Sequence, residues 1–88
     1  MRDEQFDISV TIEGEQAGLP LTVTGTVQAA SLLVDSWPGD SRGPKYRSAL
    51  KAQMDAMEQR HAVGTARRAF TAAAREASVF LREGLPSG

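Results

Sequence analysis

The stretch that decides the fold is QFDISVTIE, residues 5–13. Its even-numbered positions are apolar and its odd-numbered positions are polar, and this period of two predicts a strand with one buried face. The apolar positions are Phe6, Ile8, Val10 and Ile12. A second alternating run over about residues 20–26 predicts a partner strand, and Gly14 and Gly18 flank the connection as a hairpin loop requires. Gly25 interrupts the second run, where we expect a bulge or the close approach of a helix.

The period changes after this hairpin, and apolar residues spaced as on one face of a helix predict a short helix. The apolar stripe consists of Ala30, Leu33, Val34 and Trp37. We expect Thr26 to be the N-cap and Pro38-Gly39 to end the helix, before a loop over residues 38–43.

Two further helices are predicted in the second half of the chain. Pro44 suits the first position of a helix, because that position needs no backbone N–H. The side chains expected to line this helix are Tyr46, Leu50, Met54 and Met57. The last helix has an alanine-rich stripe and is stopped by Gly84 and Pro86; its members are Val63, Ala66, Phe70, Ala73, Ala77 and Phe80. Residues 79–81 favour β structure, so a short third strand is the alternative there.

These elements predict a single small α+β domain over residues 1–88. It consists of an N-terminal antiparallel β-hairpin packed on three helices, β-β-α-α-α, with the short third strand at the C-terminal end left open. We expect an ordered core over about residues 5–83 and a short flexible C-terminal tail. A hairpin leaves two sheet edges exposed, so we expect a homodimer, with sheets joined edge to edge as one arrangement.

The composition excludes several classes of protein. The chain has no cysteine, so disulfides, thiolate zinc sites and thiol catalysis are ruled out. No apolar run approaches the ~20 residues of a membrane span, and the acidic N-terminus lacks the apolar core of a signal peptide. We therefore expect a cytoplasmic protein without membrane contact, and nothing in the sequence calls for a cofactor.

The charges are divided between the two halves of the chain. Residues 1–40 carry one cation against seven acidic residues, a net charge of −6, whereas residues 41–75 carry eight cations against two acidic residues, a net charge of +6. Such a dipole steers partners or favours self-association. The acidic strands and the basic helices are therefore expected to contact different surfaces, of a second copy or of another protein.

The cations of the second half form a candidate basic surface. Arg68, Arg75 and Arg82 recur every seven residues, and on one continuous helix they would make a stripe about 21 Å long. The full candidate set is Arg42, Lys45, Lys51, Arg67, Arg68, Arg75 and Arg82. Nucleic-acid binding through phosphate contacts is one interpretation, and a solvated helix face is the other. No aromatic residue interleaves with these cations and no DNA- or RNA-binding motif is present.

Trp37 is the chain's one tryptophan and is the candidate interface anchor. Its place on the helix stripe gives the competing interpretation, a role in the core. Asp55, Glu58 and His61 contain half of a di-iron motif, but the second half is missing from the sequence. No nucleophile elbow or catalytic triad pattern is present either. We therefore predict no catalytic, cofactor-binding or metal-binding residues, and no enzymatic activity.

The later part of the chain contains a set of short motifs: Trp37-Pro38, Gly43-Pro44, Ala49-Leu50, Ala66-Arg67, Ala69-Phe70 and Ala73-Ala74-Arg75-Glu76-Ala77. Together they resemble those of one bacterial family, the domain of unknown function numbered 982. The resemblance runs from about Leu21 to Phe80, and the chain departs from the family at Gln53, where a cysteine or small residue is frequent. It implies a small cytoplasmic α+β domain, and it carries over no activity and no functional residues.

The sequence thus favours a small, non-catalytic binding module that is homodimeric, contacts an unknown protein partner, or both. The alternative is weak, largely sequence-independent nucleic-acid binding through the basic surface.

Overall fold

The computed structural model describes residues 3–14 and 19–84. This part of the chain contains three strands, three α-helices and one 3-10 turn, Gly39–Ser41. It confirms the α+β fold, a hairpin followed by three helices, and adds the short third strand at the C-terminal end. The expected hairpin loop at residues 15–18 and the expected C-terminal tail beyond residue 84 lie outside the described residues. The elements are β1 (Gln5–Glu13), β2 (Pro20–Gly25), α1 (Thr26–Asp35), α2 (Pro44–Met57), α3 (Val63–Glu76) and β3 (Phe80–Glu83).

The strands form one antiparallel sheet in the order β2-β1-β3. The longest strand, β1, lies in the centre, where both of its edges are paired. Val10 is opposite Val23 of β2 and Glu83 of β3. The register of β1 against β2 shifts between Gln5 and Val10. The expected alternation fails inside this irregularity, because Ile8 is exposed while Phe6 and Val10 are buried.

Gly25 marks a close approach, as expected, but not by a helix. A Cβ atom there would lie 2.9 Å from Asp3 Oδ1 and 3.1 Å from the carbonyl oxygen of Glu4, so the N-terminal segment occupies this space. Gly25 is also the N-cap of α1, one residue before the expected Thr26. The capping acceptor is Asp3 Oδ1, which receives the N–H of Val27 at 3.1 Å. The Thr26 hydroxyl instead accepts the N–H of Glu4 at 2.9 Å.

The third helix is shorter than the alanine stripe suggested. It ends at Glu76, and Ser78 takes a left-handed conformation with φ of 60°, which turns the chain towards β1. Phe80 and Arg82 therefore lie on β3 and not on α3. The ladder pairs Ile12 with Phe80 and Thr11 with Arg82, so Leu81 is an extra residue in the strand.

The hydrophobic core lies between one face of the sheet and the helices. Phe70 is fully buried at its centre, with ring centroids 6.3 Å from Phe6 and 5.6 Å from Trp37. Two predicted helix faces are rotated by about one residue. The inner face of α1 consists of Thr26, Ala29 and Leu33. The inner face of α2 includes Tyr46, Ala49, Gln53, Ala56 and Met57, and leaves the expected Met54 exposed.

Candidate functional site

An apolar groove of about 570 Å³ opens between the start of β2 and the end of α1. Its walls are mainly aliphatic, and Glu13 is the one charged residue among the described lining residues. Residues 15–18 lie outside the described part of the chain. The apolar walls are Leu19, Leu21, Leu32, Trp37, Pro38 and Val79.

Trp37 separates this groove from the core. Only 5% of its surface is exposed, and its ring packs at an angle of 57° against Phe70. The indole Nε1 is buried without a hydrogen-bond partner among the described residues. Trp37 is therefore a core residue that also lines the groove, and its candidate role as an interface anchor is confined to the groove side of the ring.

The outer edge of β2 beside the groove is closed to a further strand. Gln28 on α1 folds its amide against this edge: its Oε1 accepts the N–H of Thr24 at 3.1 Å, and its Nε2 donates to the carbonyl of Thr22 at 3.0 Å. Pro20, at the start of the same strand, has no N–H to offer. A side-chain amide and a proline therefore occupy the positions through which a neighbouring strand would bind.

Most cations of the candidate basic surface contact other groups of the same chain. Arg67, whose side chain is 11% exposed, joins α3 to the central strand β1 and to the edge strand β3. Its Nε donates to Asp7 Oδ1 at 2.9 Å and its Nη1 donates to Glu83. The Arg67 guanidinium hydrogen-bonded to Asp7 holds the pKa of that carboxyl below its ordinary value. Here an acidic residue of a strand and a basic residue of a helix are paired within one chain.

Three further candidates are also engaged. Arg42 donates to the carbonyls of Val34 and Trp37 and lies over the ring of Tyr46, 5.2 Å from its centroid. The guanidinium of Arg75 lies 4.2 Å from the centroid of the Phe80 ring.

Lys51 binds Asp55 Oδ2 at 2.8 Å, and this hydrogen bond lowers the pKa of the Asp55 carboxyl. The ammonium group of Lys51 is thus paired with a carboxylate one turn further along α2.

Lys45, Arg68 and Arg82 remain as exposed cations, and none is ion-paired with another described residue. They do not form the expected stripe. Arg68 lies on α3 and Arg82 on β3, so the continuous helix that would align them ends at Glu76. Lys45 is at the start of α2. Arg68 and Arg75 share α3, but the next heptad step, to Arg82, crosses the boundary between this helix and β3.

The half-motif around His61 does not assemble into a metal site. His61 Nε2 lies 3.8 Å from Asp55 Oδ2, whereas Glu58 is paired with Arg60 at 3.2 Å. Within residues 3–14 and 19–84, no group of three or more histidine, aspartate or glutamate side chains is arranged to hold a metal ion. No helix in the same ranges is long and apolar enough to cross a membrane.

The sequence interpretation missed a second surface, an apolar stripe on the outer side of α1. Val27 and Val34 are exposed by 45% and 52% and are seven residues apart, with the small residues Ala30 and Ser31 between them. Val34 had been assigned to the inner face. The usable signal was the alternative 3-4-4 spacing of Thr26, Ala29, Leu33 and Trp37, which buries Thr26 and turns both valines outwards.

Comparison with known proteins gives one match. A family model described as "Protein of unknown function (DUF982)" matches residues 9–81. No curated protein and no solved structure matches the chain.

Proposed function

The chain belongs to the DUF982 family, whose function is unknown, and on the basis of its groove we propose that it is a homodimeric, non-catalytic binding module. The single observation that supports binding is the apolar groove between β2 and α1. Its volume of about 570 Å³ falls within the range of specific ligand-binding clefts, about 300–1,000 Å³. Its polar described side chains are those of Glu13 and Ser36, which suits recognition better than group transfer.

The proposed occupant is a short apolar segment of another protein that carries a basic residue. Aliphatic walls and the indole of Trp37 favour apolar side chains. Glu13 at the same groove favours a cation beside them. Strand addition is disfavoured because Gln28 and Pro20 occupy the edge of β2. Recognition then depends on side chains seated in the groove, and not on a main-chain ladder.

Nucleic-acid binding has less support than the sequence suggested. Arg67 is mostly buried between two carboxylates. The exposed cations without an ion pair to a described residue are spread over three elements: Lys45 and Arg47 on α2, Arg68 and Arg75 on α3, and Arg82 on β3. A phosphate-tracking surface needs several adjacent free cations, because each contact adds only one released counterion. The cytoplasmic location and the bacterial source stay predictions.

Fluorescence of Trp37 tests the groove directly, since it is the chain's one tryptophan. The probe is a hexapeptide of leucine and proline flanked by lysines, titrated against the protein at physiological salt. We expect a saturable change in emission, which weakens when the flanking lysines are replaced by glutamates.

Matched variants locate the binding. Leu19→Glu places a charge in the groove at a residue that is 56% exposed, and Leu81→Glu makes the same change at a residue on β3 that is 48% exposed. We expect Leu19→Glu to abolish the emission change and Leu81→Glu to retain it. Equal binding by both variants, or no response to either peptide, would refute the groove as the binding site. Labelled duplex DNA titrated alongside tests the alternative, which requires binding that persists at physiological salt and weakens steeply as the salt concentration rises.

A further inference from the structure

The apolar stripe on α1 has a symmetry that suits a particular partner. Val27 and Val34 are one heptad apart, about 10.5 Å along the helix axis. Ala30 and Ser31 are at its centre. If two such helices cross antiparallel, Val27 of one copy faces Val34 of the other at both ends. Ala30 of one copy then faces Ser31 of the other at the crossing point. Residues this small allow the close approach of helix backbones.

The charges beside the stripe have the same symmetry. Asp3 is fixed at the N-terminal end, because its carboxylate accepts the N–H of Val27. Arg42 is fixed at the C-terminal end, because its guanidinium donates to the carbonyl of Val34. In the antiparallel arrangement each Asp3 therefore approaches the Arg42 of the other copy. Asp35 is also at the C-terminal end, but it lies about 100° around the helix from Val34.

We infer that two copies of this chain associate through α1, antiparallel and around a two-fold axis that passes between Ala30 and Ser31. This is a self-complementary interface, in which each residue meets a different residue of the other copy. The two antiparallel helix dipoles also attract one another. The inference rests on the homodimer of the proposed function and specifies its interface. It differs from a dimer joined edge to edge through β2, because Gln28 occupies that edge.

The interface leaves the groove open. Leu32, which lines the groove, is about 200° around α1 from Val34. A helix of ten residues is about 15 Å long, so the contact is at the small end of specific interfaces and the dimer should dissociate in the micromolar range.

Cysteine cross-linking tests the geometry, and the absence of native cysteine makes the result unambiguous. Ser31→Cys lies next to the two-fold axis, so two copies should form a disulfide dimer under mild oxidation. Val27→Cys lies on the same exposed helix, but its symmetry mate is about 10 Å away along the axis, beyond disulfide reach. We expect cross-linking of Ser31→Cys and none of Val27→Cys. Cross-linking of Val27→Cys but not Ser31→Cys would overturn the proposed axis.

Sedimentation tests the energetics without any cross-link. The wild-type chain should approach twice its 9.4 kDa mass as its concentration rises. Val34→Glu, which meets the Asp3 of the other copy, should weaken association at least tenfold, and Leu81→Glu on β3 should not. A wild-type chain that stays monomeric at high concentration would overturn the inference.

Peptide binding by the same variants distinguishes a failure of this inference from a failure of the proposed groove function. Val34→Glu should lose the dimer and still bind the lysine-flanked peptide, whereas Leu19→Glu should lose the peptide and remain dimeric. If Val34→Glu and Leu81→Glu dimerise equally, α1 is not the interface.

Discussion

Replacing Gln53 with methionine should leave the free energy of unfolding almost unchanged, although Gln53 is fully buried and makes two hydrogen bonds. Its Nε2 donates to the carbonyl of Ala49 on its own helix at 3.0 Å and to the carbonyl of Ala66 on α3 at 2.9 Å. Its Oε1 has no hydrogen-bond partner among the described residues. The side chain therefore links α2 to α3 through Nε2, and it also buries Oε1 without a compensating hydrogen bond from the described residues.

The magnitude follows from these contacts. Two neutral hydrogen bonds contribute about 1 kcal/mol each, and an unsatisfied buried acceptor costs about 1–3 kcal/mol. Ala49 and Ala66 lie inside helices, so their carbonyls keep the backbone N–H four residues further on. Methionine has a similar length and leaves no cavity. The gains and losses cancel to within about 1 kcal/mol. Gln53→Ala empties the same space and should cost about 2–5 kcal/mol, as other large-to-small core changes do.

Urea unfolding followed by the fluorescence of buried Trp37 measures both variants. For 88 residues the total free energy of unfolding is about 4–13 kcal/mol, so the alanine variant should shift its midpoint clearly while the slope of the transition stays constant. A loss of more than about 2 kcal/mol in Gln53→Met would refute the reasoning, because it would mean that the amide is fully satisfied. Equal losses in the two variants would show that packing at this position contributes little.

Two further changes test the ion pairs and the edge of the sheet. Hydrogen bonds from cations lower the carboxyl pKa values of Asp7 and Asp55 in the folded protein. The ionised carboxylates therefore stabilise the fold above their ordinary pKa of 3.8, and this stability should be lost as the pH falls through the lowered pKa values. The double variant Asp7→Asn, Asp55→Asn should show a shallower acid limb in urea midpoints between pH 5 and pH 2, and an unchanged limb would contradict the assignment. Gln28→Ala should change stability by less than about 1 kcal/mol but open the β2 edge, so light scattering on heating should rise faster than for Ser48→Ala, an exposed control; equal scattering would show that the amide does not protect the edge.

Local patterns in the sequence were enough to predict the fold class and the order of the elements. Strict alternation predicted β1, and Pro44 predicted the start of α2. The residue spacing was misleading where a turn interrupts a regular pattern. The alanine stripe of α3 continues in register to Phe80, but the left-handed turn at Ser78 ends the helix, and spacing alone does not reveal such a turn.

The functional surfaces were harder to predict, for two physical reasons. A cation counted in the sequence is not always free to bind a partner molecule. Arg67 belongs to the basic half of the chain, but it is paired with Asp7, sixty residues earlier. The groove and the outer stripe depend on the rotation of α1 about its axis. The sequence spacing is compatible with two rotations, one that buries Val34 and one that buries Thr26. The hydrogen bond from the N–H of Glu4 to the Thr26 hydroxyl favours the second.

The central position of β1 has a consequence for how the chain can be made and rearranged. The last described strand pairs with the first, so both edges of β1 are paired only after residue 83 has left the ribosome. Gln5 and Gly84 line the same surface pocket, and the N–H of Gly84 donates to the carbonyl of Ser9 on β1 at 2.7 Å, so the last described residue lies against the first strand. A short linker between the two ends, with new termini opened in the loop after α2, should give a circular permutant that retains all three strands.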